Sequence, residues 1–169
     1  MKLESVKRIF RALNDENVRY LIAGGLAVVA HGYLRFTADI DLILDMERKN
    51  LERAMVVFDS LGYCPRAPVQ IEEFIDPEKR TGWVREKGLT VFSLWNPDHS
   101  ATEIDLFVEA PMPFEKAYKM SVRFEVAEGI EATVIGIDDL ITLKKQAGRP
   151  RDLDDIERLD DLREVKDSD

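Results

Sequence analysis

Between Leu21 and Leu44 the chain reads as an apolar run, a glycine pair, a short helical pattern and a second apolar run opened by two aspartates one residue apart. That order dictates a strand over 19–23, a tight turn at Gly24-Gly25, a helix over 26–33 and a second strand over 39–44. The glycines permit the turn, and the apolar runs have the length of buried strands. Alternate side chains along a strand share a face, so Asp39 and Asp41 point one way while Ile40 and Leu42 point into the core. Their Cα atoms then stand about 7 Å apart.

The rest of the chain fits the same architecture. Leu3, Val6, Phe10 and Leu13 recur at three- and four-residue spacing and predict an opening amphipathic helix. Asp45 is placed to cap a helix whose apolar face is Leu51, Ala54, Met55, Phe58 and Leu61, with Gly62 as its stop. Further strands are expected over 89–95 and 103–109, joined by the turn-rich 96–100 as an antiparallel hairpin, and again over 122–126 and 130–135. Short helices are expected over 78–87 and 114–119. From Asp138 the chain is expected to be helical, broken near Gly148-Arg149-Pro150, with fraying over 166–169. The whole is an α/β fold with a mixed, partly antiparallel sheet, packed helices and a helical C-terminus. One domain over 1–169 is expected, with its C-terminal helical segment at about 137–165.

Two aspartates on one strand face begin a site for a hard divalent cation such as Mg2+ or Mn2+, which takes oxygen ligands and keeps places for phosphate and water. A third acid is expected from a neighbouring strand. In Glu103-Ile104-Asp105-Leu106 the apolar residues alternate inward and leave Asp105 and Glu103 opposite, with Asp105 the more deeply flanked. Gly24 and Gly25 let a ligand approach the backbone, and the helix they precede offers free N–H groups to phosphate. Arg35 and Thr37, just upstream of the aspartates, add a cation and a hydroxyl.

Each feature also has a plainer reading: Gly-Gly as a turn, Arg35 as a surface charge, Thr37 as a turn residue. The order of glycine pair, helix, acidic pair and later a third acid in an apolar strand is what joins them into one site. His31 and His99 lack metal-ligand spacing to another His or Cys, which argues against zinc. Ser93 and Ser100 lack the glycine elbow of a serine hydrolase, and neither a dinucleotide nor a Walker-type glycine motif is present. The single cysteine, Cys64, excludes a disulfide framework. With no apolar run near the roughly twenty residues of a membrane span, no membrane partner and a cytoplasmic location are expected. A net charge of −9 argues against a general nucleic-acid-coating surface. A local basic groove would have to come from Lys79, Arg80, Arg85 and Lys87, whose plainer reading is a solvated helix face.

Gly24-Gly25, the thirteen residues that follow, Asp39-Ile40-Asp41 and Ile104-Asp105-Leu106 together resemble the signature of the nucleotidyltransferase superfamily that shares the DNA polymerase beta catalytic fold. The stretch from Asp139 to Ile156 is similar to the closing motif of the branch that includes nucleotidyltransferase toxins of abortive-infection toxin-antitoxin systems. The resemblance implies that Gly24 and Gly25 contact a nucleoside triphosphate and that Asp39, Asp41 and Asp105 are the catalytic metal ligands. It also implies that Asp105 helps to deprotonate the acceptor, and that Lys144 and Asp152 belong to the nucleotide site. For Asp138, Asp139, Lys144 and Lys145 the helix dipole is a sufficient alternative reason, and for Asp152 and Asp155 a helix N-cap.

The implied reaction moves a nucleoside monophosphate to an acceptor hydroxyl of RNA, protein or a small molecule, with release of pyrophosphate. Two other readings stay open: a catalytically silent nucleotide- or partner-binding module of toxin-antitoxin type, with a partner protein, and an antibiotic-modifying enzyme of the same fold.

Overall fold

The computed structural model describes residues 1–167. Its helices are α1 (Leu3–Asp15), α2 (Gly24–His31), α3 (Arg48–Ser60), α4 (Pro77–Lys87), α5 (Phe114–Lys119), α6 (Ile137–Ala147) and α7 (Pro150–Asp167). The strands are β1 (Tyr20–Ala23), β2 (Asp39–Leu44), β3 (Cys64–Pro65), β4 (Val91–Trp95), β5 (Glu103–Phe107), β6 (Val122–Ala127) and β7 (Ile130–Val134). They form one sheet in the order β3-β4-β5-β2-β1-β7-β6. The pairs β1–β2, β3–β4, β4–β5 and β6–β7 are antiparallel, whereas β2–β5 and β1–β7 are parallel. The mixed sheet and the 4–5 hairpin are as the alternation predicts.

Local chemistry explains the element ends. In α1 the residues Val6, Ile9, Phe10 and Leu13 form the buried stripe, while Leu3 lies outside it at the exposed first turn. Asp45 does not cap α3. Glu47 does, accepting the Asn50 N–H, and Asp45 instead accepts the Glu47 N–H and pairs with Arg19. The two acids compete for one job, and the one nearer the first helical residue takes it. Gly62 follows α3 with φ +85°, the left-handed conformation that ends a helix. Asp76 caps α4 just before Pro77.

Ile40, Leu42, Ile104 and Leu106 are fully buried, so the central strands β2 and β5 are anchored by one face and free to present polar groups on the other. Helix α2 packs on β1 and β2 and meets α6 and α7, which brings the C-terminal helices beside the glycine turn. Helix α7 is continuous to Asp167, so Lys166 and Asp167 remain helical; Ser168 and Asp169, where fraying was also expected, lie outside the described residues. No helix among the described residues is long and apolar enough to cross a membrane.

Candidate active site

The two glycines, expected as a turn before a helix over 26–33, are instead the first two residues of α2, and this first turn is shaped by what presses against it. Gly24 has φ +59°, and Asp41 Oδ2 lies 1.9 Å from where a Cβ at this position would stand. The absent side chain is therefore the space that the Asp41 carboxylate fills. At Gly25 the reason is packing alone: a Cβ would stand 2.6 Å from Thr37 Oγ1 and 3.0 Å from Arg35 Nη2. Ala23 at the N-cap supplies no side-chain acceptor, so the first N–H groups of α2 are left for another partner.

The acids stand on the next two strands. Asp41 is opposite Ala23 in the antiparallel β1–β2 pair, and Asp41 faces Asp105 across the parallel β2–β5 pair. Asp39 faces Glu103 in the same register, but Glu103 is turned to Arg66, whose Nε lies 3.0 Å from it, and this bond holds its carboxyl below the usual range. Asp105 accepts a 2.5 Å hydrogen bond from Ser93 Oγ, directly across β4–β5. Burial, then the charges of Asp105 and Asp39, push the Asp41 carboxyl up to about 6 against an opposing pull from Lys144 and Arg149. Asp39 is raised for similar reasons, burial first and then Asp105 and Glu103. Neither Asp39 nor Asp41 has a salt-bridge partner among the described residues.

Three carboxylates side by side in one wall, without a cation of the chain paired to Asp39 or Asp41 among the described residues, form a donor set that fits a hard divalent cation, because such an ion offsets their mutual repulsion. Among the described residues, however, no three His, Cys, Asp or Glu side chains make a metal cage on their own. Oxygen ligands from outside the chain are needed to complete any such site.

Helices α6 and α7 form the opposite wall. Lys144 is only 5% exposed, and its Nζ donates to Asp155 Oδ2 at 2.7 Å and lies 3.5 Å from Asp152 Oδ1. Arg35 Nη1 donates to that same Asp155 oxygen. Asp152 accepts the Arg149 backbone N–H at 3.2 Å and Arg149 Nε at 2.7 Å. With Pro150 opening α7, Asp152 is thus the third helical residue reaching back to the cap, so the capping acid is Asp152 itself and Arg149 occupies the N-cap place that the sequence offered to Asp152. Burial raises the Asp152 carboxyl, but the Arg149 bond and charge, with Lys144, outweigh it and hold it below its ordinary value. Arg151 Nη2 bonds the Phe36 carbonyl at 2.9 Å and ties α7 to the loop before β2.

One cavity of about 680 Å³ lies between the two walls, and Gly24, Gly25, Arg35, Thr37, Asp39, Asp41, Asp105, Lys144 and Asp152 all line it. The sequence missed Ser93, Phe36 and Asp155 as parts of this region, and ranked Arg149 and Arg151 below Lys144. Ser93 could have been found from its place opposite Asp105 in the hairpin, whereas the Arg35–Asp155 pairing spans 120 residues and leaves no local signal. The basic quartet does not contribute. Arg80, expected in a solvated or nucleic-acid-facing helix surface, is instead buried, donating to the Phe74 carbonyl with its guanidinium over the Phe74 ring. Lys79 pairs with Glu73 and Arg85 with Glu86, and none of the four lines the cavity. His31 is buried and its Nε2 meets the Ile135 carbonyl at 2.8 Å.

The chain has the nucleotidyltransferase fold. It is similar to the lincosamide antibiotic adenylyltransferase LnuA, solved with lincomycin bound, with a TM-score of 0.64 and 12% identity over 96% of this chain and 98% of that one. It is also similar to ANT(2″)-Ia in complex with adenylyl-2″-tobramycin, with a TM-score of 0.58 and 18% identity over 98% and 97% of the two chains. A solution structure of the antibiotic-resistance factor ANT(2″)-Ia gives a TM-score of 0.55 and 17% identity, covering 98% of this chain and 91% of that one. No protein-family model and no curated protein matches the sequence. None of these three solved structures is described as a toxin or an antitoxin.

Proposed function

We propose that this protein is a metal-dependent nucleotidyltransferase that moves a nucleoside monophosphate from a triphosphate to the hydroxyl of a small molecule, releasing pyrophosphate. The observation that carries the reading is the shared cavity: three strand-borne acids on one wall, the glycine turn at its end and a cationic helix wall opposite. Asp39, Asp41 and Asp105 would hold the divalent cations, which when bound lower the pKa of the attacking hydroxyl and neutralise charge on the phosphates. Gly24 and Gly25 would bring the N–H groups at the start of α2 to phosphate oxygens. Arg35, Thr37 and Lys144 would fix the chain of phosphates in line with the acceptor, so that positioning and charge neutralisation carry most of the rate. Asp152 would act in the nucleotide site through Arg149, whose guanidinium it holds.

A small acceptor is favoured over nucleic acid by three observations. The cavity includes the apolar side chains Val91, Phe107, Pro111, Leu140 and Leu143. Of the basic residues of α4, Lys79 and Arg85 are ion-paired and Arg80 is buried, and none of the four lines the cavity. The net charge is −9. Similarity to enzymes named for antibiotic substrates points in the same direction. A silent nucleotide-binding module is the second reading, and the lack of a self-sufficient three-residue metal cage among the described residues is what favours it. A toxin-antitoxin role has only the Asp139–Ile156 motif behind it.

The test is incubation with α-labelled triphosphates, Mg2+ or Mn2+, and separate pools of small hydroxylated metabolites and antibiotics, RNA and protein. Label in the small-molecule pool with stoichiometric pyrophosphate, lost in Asp39→Asn plus Asp41→Asn, is the expected result. Binding of triphosphate without pyrophosphate release in any pool would establish the silent module.

A further inference from the structure

Asp155 has no role in the transfer chemistry set out above, yet it is among the most buried charged groups of the molecule, at 1% exposure. A single oxygen, Oδ2, receives both Arg35 Nη1 from the loop before β2 and Lys144 Nζ from α6, while Asp155 itself belongs to α7. The loop before β2 and the two consecutive C-terminal helices are thus tied at one atom. The other end of the Arg35 guanidinium lies against the glycine turn, its Nη2 3.0 Å from the Cβ position of Gly25. Its Nε is buried without any hydrogen-bond partner. A guanidinium with an unmet donor, held against the first turn of α2, is a place for an acceptor oxygen.

We propose that Asp155 is a positioning residue of the phosphate site: it clamps Arg35 and Lys144 side by side so that the unpaired donor edge of Arg35 and the remaining Lys144 proton meet the triphosphate at the glycine turn. The inference rests on the nucleotidyl-transfer reading and deepens it. Arg35 and Lys144 would repel each other without a shared counter-ion, and one carboxylate removes that repulsion while leaving the pair with one net positive charge. Fixing the guanidinium plane in advance also removes ordering that a mobile arginine would undergo on binding.

The sign of one substitution separates this role from a purely electrostatic one. Asp155→Asn deletes a negative charge near the phosphate site, so an electrostatic competitor for the cations would on removal tighten anion binding. A positioning residue would on removal weaken it. The experiment measures binding of the α,β-methylene analogues of ATP, GTP, CTP and UTP with Mg2+ by calorimetry to wild type, Asp155→Asn and Glu157→Gln. Glu157→Gln removes an equal charge from an exposed site on the same helix. In parallel, the Arg35 Nε–H and Lys144 ammonium signals of the wild-type protein are followed by NMR.

The expected result is a rise in Kd of at least about tenfold for Asp155→Asn, no comparable rise for Glu157→Gln, and a shift of both wild-type signals on saturation. Equal or tighter binding by Asp155→Asn overturns the proposal. So does triphosphate binding that leaves the wild-type Arg35 and Lys144 signals unmoved, a readout that does not depend on the variant folding. Failure of wild type to bind any of the four analogues instead brings down the transfer reading, and the inference with it.

Discussion

The two walls of the cavity carry charge in opposite ways. On the sheet wall Asp39 and Asp41 have no cationic partner and are lifted by burial and by neighbouring acids. On the helix wall Lys144, Arg35 and Arg149 are each matched to a carboxylate of α7. The first arrangement is unfavourable to the ligand-free fold and would be relieved by a cation from outside. The second is mostly neutralised, with three cations sharing Asp152 and Asp155, and helps to hold α6, α7 and the loop before β2 together. A wall left unbalanced by the chain itself is where a cofactor contributes most; a balanced wall supplies shape.

The largest break in this comparison should come from the unbalanced side. Asp39→Asn plus Asp41→Asn is expected to reduce nucleotidyl transfer by about 1,000-fold or more, read as pyrophosphate release under saturating metal. On the other side Asp155→Asn leaves the buried Lys144 and the partly buried Arg35 without their shared carboxylate, and chemical denaturation is expected to show a loss of about 3–5 kcal/mol.

Asp41→Asn alone should act with the opposite sign on stability. The folded carboxyl sits at about 6 against an ordinary 3.8, so the native state holds this proton more tightly than the unfolded chain. Its favourable contribution is complete below about pH 4 and is lost as pH rises through about 6. The asparagine variant cannot ionise and should be more stable than ligand-free wild type by about 2–3 kcal/mol above that range. The gain should vanish near pH 4, as denaturation curves across pH will show.

A smaller effect is expected at the turn. Gly24→Ala imposes a side chain at φ +59° and drives the Asp41 carboxylate from its place, for a stability loss of about 1–2 kcal/mol in thermal melts. Activity should fall more than that loss implies. Smallest of all, Lys79→Ala removes an exposed ion pair away from the cavity and should change stability by less than about 1 kcal/mol and transfer not at all.

What the sequence made legible is what strand alternation and short spacing encode. Gly24, Gly25, Asp39 and Asp41 lie within eighteen residues of one another, and Asp105 stands out because Ile104 and Leu106 fix its face. Ser93 became meaningful only with the β4–β5 register, and Asp155 only with the packing of α7 against a loop 120 residues earlier. Arg80 shows the limit of composition: a cation in a charged run is buried because the Phe74 ring and carbonyl lie beneath it. At α3 the sequence pointed to Asp45 as the cap, and the helix starts two residues later with Glu47 in that place.

The central claim is that the acidic wall takes a divalent cation together with a triphosphate. Calorimetric titration of an α,β-methylene nucleoside triphosphate with Mn2+, with EDTA, and into Asp39→Asn plus Asp41→Asn tests it most directly. The account predicts tight binding only with the metal and the intact acids, and weak binding of Mn2+ added alone, since the side chains form no cage without phosphate oxygens. Equal triphosphate affinity in EDTA and in the double variant would contradict it.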